Sequence, residues 1–142
     1  VARRAQIASY YDRALKKYQF IKTPAHIEGR ESAHHLYPAL ISFDELGVCK
    51  SRWFDLMKAA GVHPQVHYIP VHLQPWYAEK FGYKWGDFPN AEAAYEKEVS
   101  LPIYPLLKDE EAGAVIEAII SSIACAAAHR RSGSCSSSAV NG

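Results

Sequence analysis

Residues 65–75 read Gln-Val-His-Tyr-Ile-Pro-Val-His-Leu-Gln-Pro, which gathers two imidazoles, a phenol and carboxamides in one short stretch. Such groups donate and accept hydrogen bonds without a fixed charge. Pro70 and Pro75 fix φ and remove backbone donors, while Val66, Tyr68 and Val71 favour extended structure. The pattern predicts a strand that turns into a stiff loop carrying His67, Tyr68 and His72. That is a better frame for a site than for a core.

The chemistry this stretch could support on its own is narrow. His63 and His67 are four apart, but Pro64 lies between them and the segment reads as extended, so they do not share a helix face. No carboxylate is adjacent in sequence, and neither an HExxH motif nor a CxxC pair occurs, so no metal is expected. A nucleophile lacks support as well. There is no Gly-x-Ser-x-Gly elbow, and Cys49 and Cys125 sit in helix-like or loop contexts that predict inert thiols. Gly29, Gly47 and Gly61 are isolated and make no phosphate loop. Recognition is left: imidazole, phenol and carboxamide groups on a proline-fixed loop can bond sugar hydroxyls or phosphate oxygens. A plainer reading, in which His67 and Tyr68 merely alternate across a strand, stays open. His35 reads as a satisfied strand histidine, and the aromatic run from Trp76 to Phe88 as packing.

The chain of 142 residues suggests one domain, large enough to bury roughly two-thirds of its unfolded surface. With 49% hydrophobic and 22% charged residues it is globular in composition. A formal charge of +1 argues against a nucleic-acid partner. Cys49, Cys125 and Cys135, odd in number and far apart, fit a reducing, cytoplasmic setting better than a disulfide framework. The first residue is Val1, inside a helical pattern, so an upstream part is expected.

Several elements must position the loop. Ile7, Tyr11, Ala14, Leu15 and Tyr18 share one face of a helix over residues 2–18, with Arg3, Arg4, Arg13, Lys16 and Lys17 toward solvent. Residues 32–43 carry an apolar strand that Pro38 demotes to an edge or a bulge. A helix over residues 51–60 presents Trp53, Phe54, Leu56 and Met57 and closes at Gly61. Asn90 caps a short helix over residues 91–99, with Ala91, Ala94, Tyr95 and Val99 inward, and residues 100–105 make an edge strand. Asp109 starts a last helix with Ala112, Val115, Ile116, Ile119, Ile120 and Ile123 at helical spacing. Glu117, Ser121 and Ser122 mark it as an amphipathic core helix rather than a membrane span. The reading is a small α/β (α+β) sandwich over residues 1–128, a short mixed or antiparallel sheet with helices on one face. A Ser-rich, disordered tail follows over residues 129–142.

The ordered motifs Arg-Arg-Ala-Gln-Ile-Ala-Ser-Tyr-Tyr-Asp, Ser-Ala-His-His-Leu-Tyr-Pro, Gly-Val-His-Pro-Gln-Val-His-Tyr-Ile-Pro-Val-His, Phe-Pro-Asn-Ala-Glu and Ser-Leu-Pro-Ile-Tyr-Pro cover nearly all but the tail. Together they resemble the C-terminal domain of sugar-nucleotide aminotransferases of the DegT/DnrJ/StrS type. Within that family the chain looks closest to enzymes that aminate a UDP-linked 4-keto-6-deoxy sugar on the route to pseudaminic acid. The resemblance implies the small domain of a fold-type I enzyme. Glutamate would give its amino group to the sugar through a pyridoxal 5'-phosphate lysine Schiff base. It further implies a missing N-terminal large domain that holds the cofactor, and sites formed at a homodimer interface. No lysine here stands in the family's cofactor-lysine motif, so no catalytic or cofactor-binding residue is carried over and the chain is expected to be inactive alone. Substrate binding is carried onto His67 and Tyr68, and onto His72; His35 and Tyr37 match a motif position without a role. Two other readings remain: a non-enzymatic module binding a nucleotide sugar or a protein, and a truncated piece without function.

Overall fold

Tyr37, Ala39 and Ile41 alternate with Pro38 and Leu40 along β2 (Tyr37–Ile41), and the alternation divides the sheet into a buried and an outer face. In the computed structural model, which describes residues 1–130, β2 pairs antiparallel with β1 (Ile21–Lys22) on one side and β3 (Glu98–Leu101) on the other. The elements are α1 (Ala2–Leu15), β1, β2, α2 (Phe43–Leu46), α3 (Lys50–Ala59), α4 (Pro75–Phe81), α5 (Pro89–Lys97), β3 and α6 (Asp109–Arg130). This is the expected small α/β architecture with an antiparallel sheet.

The core lies on the face of Tyr37, Ala39, Ile41, Val99 and Leu101. Ile7, Tyr11 and Leu15 of α1, Trp53 and Met57 of α3, and Val115, Ile116 and Ile119 of α6 pack into it. Tyr11 and Tyr37 meet edge to face at 5.1 Å. Both phenols find partners, Tyr11 donating to the Pro102 carbonyl at 2.9 Å and Tyr37 to Asp12 Oδ1 at 2.6 Å. Arg3 was expected in solvent; it donates to the Leu107 carbonyl at 2.6 Å and pairs with Asp109 at 2.8 Å, tying α1 to the start of α6.

Four expectations need revision. β2 is the central strand, not an edge, despite Pro38. The reason is register. Ser100, opposite Pro38, spends both backbone groups on Gln65, so the pair makes no ladder bonds and the donor that proline lacks points past the end of β1. The third strand begins at Glu98, before both prolines. Helix α5 starts at Pro89, with Phe88 as its N-cap instead of Asn90; Ala91 and Ala94 are exposed and its buried residue is Glu92. His35 is exposed in a bend ahead of β2. Gly61, by contrast, takes φ +77° just past α3, as a helix-closing glycine does. Helix α6 continues through Arg130; the remainder of the expected tail lies outside the described residues. No described helix is long and apolar enough to cross a membrane.

Candidate functional site

Residues 65–75 do not form the expected strand. Gln65 makes one reciprocal bridge with Ser100, its N–H to Ser100 O at 3.0 Å and Ser100 N–H to Gln65 O at 2.8 Å. An antiparallel ladder would next bond residue 67 to the backbone of residue 98. Here the His67 N–H donates instead to the Glu98 side chain, Oε2, at 2.9 Å, and the chain leaves the sheet. A buried carboxylate from β3 ends the pairing that the β-forming residues favour.

Beyond that point the loop turns outward. Tyr68 is 73% exposed, and Ile69 and Val71 are also exposed, whereas Pro70 is buried beneath them. The His67 and Tyr68 rings meet at 4.7 Å, nearly perpendicular, across a cis peptide bond. His67 is half-buried, and its Nδ1 is buried without a partner. A buried lone pair is less costly to strand than a buried N–H, so the proton belongs on Nε2, which makes that nitrogen the ring's donor. The structure thus brings the half-buried His67 ring against the exposed Tyr68 ring.

His72 is placed differently. It lies in a single 3-10 turn (Val71–Leu73), buried, and its Nε2 donates to Glu92 Oε1 at 2.9 Å. Glu92, only 4% exposed, also accepts the Gly86 N–H at 2.9 Å and the Phe88 N–H at 3.2 Å. Burial works to raise the Glu92 pKa, but the Gly86, His72 and Phe88 donors outweigh it and leave the group below the ordinary carboxylate value. The ring of His72 is therefore spoken for. It anchors the far end of the loop and touches the Phe88 ring at 4.6 Å.

Around that anchor Tyr77, Phe81, Tyr83 and Phe88 line an open apolar cavity of about 500 Å³ with Val71, His72 and Ala91. The rings do pack, each on the next, from Trp76 through Tyr77, Phe81 and Tyr83 to Phe88. They pack on one another, as the sequence suggested, and remain 36–56% exposed, so that packing is a surface cluster.

Glu98 itself is 7% exposed, and its second oxygen, Oε1, accepts from Ser100 Oγ at 2.6 Å. Lys50 of α3 lies half-buried nearby and donates to the Tyr95 carbonyl at 2.6 Å. Burial lowers the Lys50 pKa, and the fields of Glu98 and Glu96 partly restore it. Sequence reasoning missed both glutamates, because each lies at least twenty residues from the histidine it holds. Among the described residues no group of three or more His, Cys, Asp or Glu could hold a metal ion.

Residues 1–120 match the model of the DegT/DnrJ/EryC1/StrS aminotransferase family. The spore coat polysaccharide biosynthesis protein SpsC of Bacillus subtilis is 40% identical over 119 residues, 82% of this chain and 30% of that protein. The UDP-4-amino-4,6-dideoxy-N-acetyl-beta-L-altrosamine transaminase of Campylobacter jejuni is 29% identical over 119 residues, 84% of this chain and 31% of that protein. Among solved structures, Helicobacter pylori PseC, an aminotransferase involved in the biosynthesis of pseudoaminic acid, superposes with a TM-score of 0.77 at 25% identity, covering 87% of this chain and 33% of that one. The chain spans about 30% of the length of the relatives it matches.

Proposed function

The chain belongs to the DegT/DnrJ/EryC1/StrS aminotransferase family, and we propose from that premise that residues 1–128 form the C-terminal, substrate-holding domain of a pyridoxal-phosphate-dependent sugar-nucleotide aminotransferase. Its substrate is a UDP-linked 4-keto-6-deoxy sugar, a reading supported by the similarity to the Campylobacter jejuni altrosamine transaminase, and glutamate is the amino donor. The protein works as a homodimer in the cytoplasm. The observation that carries this reading is the His67–Tyr68 edge: an exposed phenol against a half-buried imidazole, on a loop that is anchored at both ends.

The described residues do not fit the cofactor's own needs. A Schiff-base lysine must offer a desolvated, uncommitted amine. Lys50 alone is drawn into the protein, and its ammonium is committed to the Tyr95 carbonyl; every other described lysine is exposed. The cofactor and its lysine belong, on this proposal, to a larger N-terminal domain, and no chemical step is assigned to this chain. Its residues bind and orient. Tyr68 offers a ring face and a hydroxyl, and His67 Nε2 a donor, to the sugar's hydroxyls. His72 supports them from behind through Glu92.

The test is made in the full-length protein. His67→Ala or Tyr68→Ala should raise KM for the sugar nucleotide about tenfold or more and leave cofactor affinity unchanged, since each deletes about one hydrogen bond to substrate. Equal loss of cofactor and substrate binding counts against the assignment. The commitment of Lys50 to the Tyr95 carbonyl also favours a second reading, a binding module with no enzymatic role. Calorimetry on the isolated chain separates the two: tight UDP-sugar binding without any further domain supports the module.

A further inference from the structure

The loop that presents Tyr68 is pinned at both ends by a buried carboxylate, and the two pins differ in kind. Glu92 collects donors from three residues in two segments and builds the α5 end of the fold. Glu98 touches the presenting loop itself, at the backbone of His67, one residue before Tyr68. A buried carboxylate is an expensive choice at a strand position whose neighbours are apolar, unless each oxygen is satisfied. Both oxygens are: Oε2 by the His67 N–H at 2.9 Å and Oε1 by Ser100 Oγ at 2.6 Å. The ammonium of Lys50 adds a favourable field from α3.

The register shows what this side chain does. Gln65 and Ser100 exchange both backbone bonds, so the backbone of residue 98 points toward the same chain and would bond residue 67 if the ladder continued. Glu98 takes that N–H with its side chain. The backbone of residue 67 is thereby held off the strand axis, and the chain swings out with Tyr68 in solvent. An apolar residue at position 98 leaves the His67 N–H without this acceptor, and nothing then fixes the direction in which Tyr68 leaves the sheet.

We propose that Glu98 is the positioning residue of the ligand-facing loop, setting the direction of Tyr68 through the His67 N–H without touching the ligand. The ligand role of that loop rests on the function proposed above; the link from Glu98 to His67 stands apart from it. Glutamine can replace the carboxylate. Its carbonyl accepts the His67 N–H, and its NH₂ donates to Ser100 Oγ, which can accept. Alanine can do neither.

Amide hydrogen exchange and ring-to-ring nuclear Overhauser contacts, measured on the 142-residue chain, test the proposal. In Glu98→Ala the His67 amide should exchange about tenfold faster or more, the scale of one lost bond to a charged group, and the His67–Tyr68 ring contact should weaken. In Glu98→Gln both should return toward the parent values. Ser100→Ala, which removes only the Oε1 partner, should leave the His67 amide protected. Unchanged exchange in Glu98→Ala overturns the proposal, and so does a folded Glu98→Gln whose His67 amide is unprotected; the latter decides the matter if the alanine variant fails to fold. Titration with UDP-N-acetylglucosamine then separates the two claims. Binding that weakens in Glu98→Ala and recovers in Glu98→Gln supports the positioning role. Equal binding in parent and Glu98→Ala overturns it while the loop keeps its ligand. If the unmodified chain does not bind without its further domain, the amide data alone decide whether Glu98 sets the loop.

Discussion

Tyr37 shows how much a single buried polar group does here. It lies on the core face of the central strand, packs edge to face on Tyr11, and donates to Asp12 at 2.6 Å. Burial, followed by the Asp12 bond and charge, raises its pKa well beyond the ordinary phenol value; burial does the same for Tyr11. A group whose folded pKa is raised contributes stability that is fully present below its unfolded pKa, about 10, and is lost as pH climbs above that value. Thermal midpoints should therefore hold to about pH 9 and fall steeply beyond it. Tyr37→Phe should lower stability by about 1–2 kcal/mol in urea unfolding, because Asp12 loses a buried donor, and should make the alkaline fall shallower. An unchanged alkaline profile in that variant would locate the effect elsewhere. The sequence offered Tyr37 as part of a motif without a role, and its depth in the core came only with the pairing of β2 to β3. The loop residues were easier to read. His67 and Tyr68 announce themselves by type and by the prolines that follow. Glu98 and Glu92 do not, since a glutamate in sequence reads as a solvated charge until the fold buries it.

The helices were legible because hydrophobic periodicity is local. Ile7, Tyr11 and Leu15, or Val115, Ile116 and Ile119, define a face whatever the rest of the chain does. The strands were not, because their limits depend on partners. Pro38 is tolerated in a central strand only through the register that hides its missing donor, and residues 66–68 are kept out of the sheet by a carboxylate from another strand. Helix α5 fell between these cases. Its existence was plain, but its start was set by Pro89 and by the Glu92 carboxylate reaching back to the Phe88 N–H, not by Asn90. That cap gives a pH prediction. The Glu92 pKa is depressed, so its contribution is present above the usual glutamate value of about 4.3 and is lost as pH falls through the lower folded value. The signal should come from Trp76 and Trp85, which flank the loop that Glu92 ties down. Tryptophan emission should shift below about pH 4 before the helix signal falls. In Glu92→Gln, which keeps an acceptor but no charge, that early step should vanish. A shift of equal size at the same pH in both proteins would place the acid-sensitive group elsewhere.

Beyond the core, the chain carries an apolar surface that no described residue covers. Trp76, Tyr77, Phe81, Tyr83 and Phe88 form a continuous ring-on-ring band, and Lys80 lies 4.6 Å over Trp76 without hiding it. Single exposed aromatics are ordinary on a protein surface, but a contiguous band marks a place meant for contact or one prone to association. The band shares Val71 and His72 with the loop that bears His67 and Tyr68, so loop and apolar band are parts of one side of the molecule. Composition could not have shown this, since the same five rings buried in a core give the same percentages. The isolated chain should accordingly bind anilinonaphthalene sulfonate in its native state with enhanced emission. Phe81→Ser should reduce that emission severalfold, because Phe81 contacts Trp76, Tyr77 and Tyr83 and its loss breaks the band in the middle. Stability should change little, as about half of the Phe81 side chain is already in water and little buried area is lost. Dye emission that survives Phe81→Ser, or that appears only on unfolding, would mean the band is closed in solution.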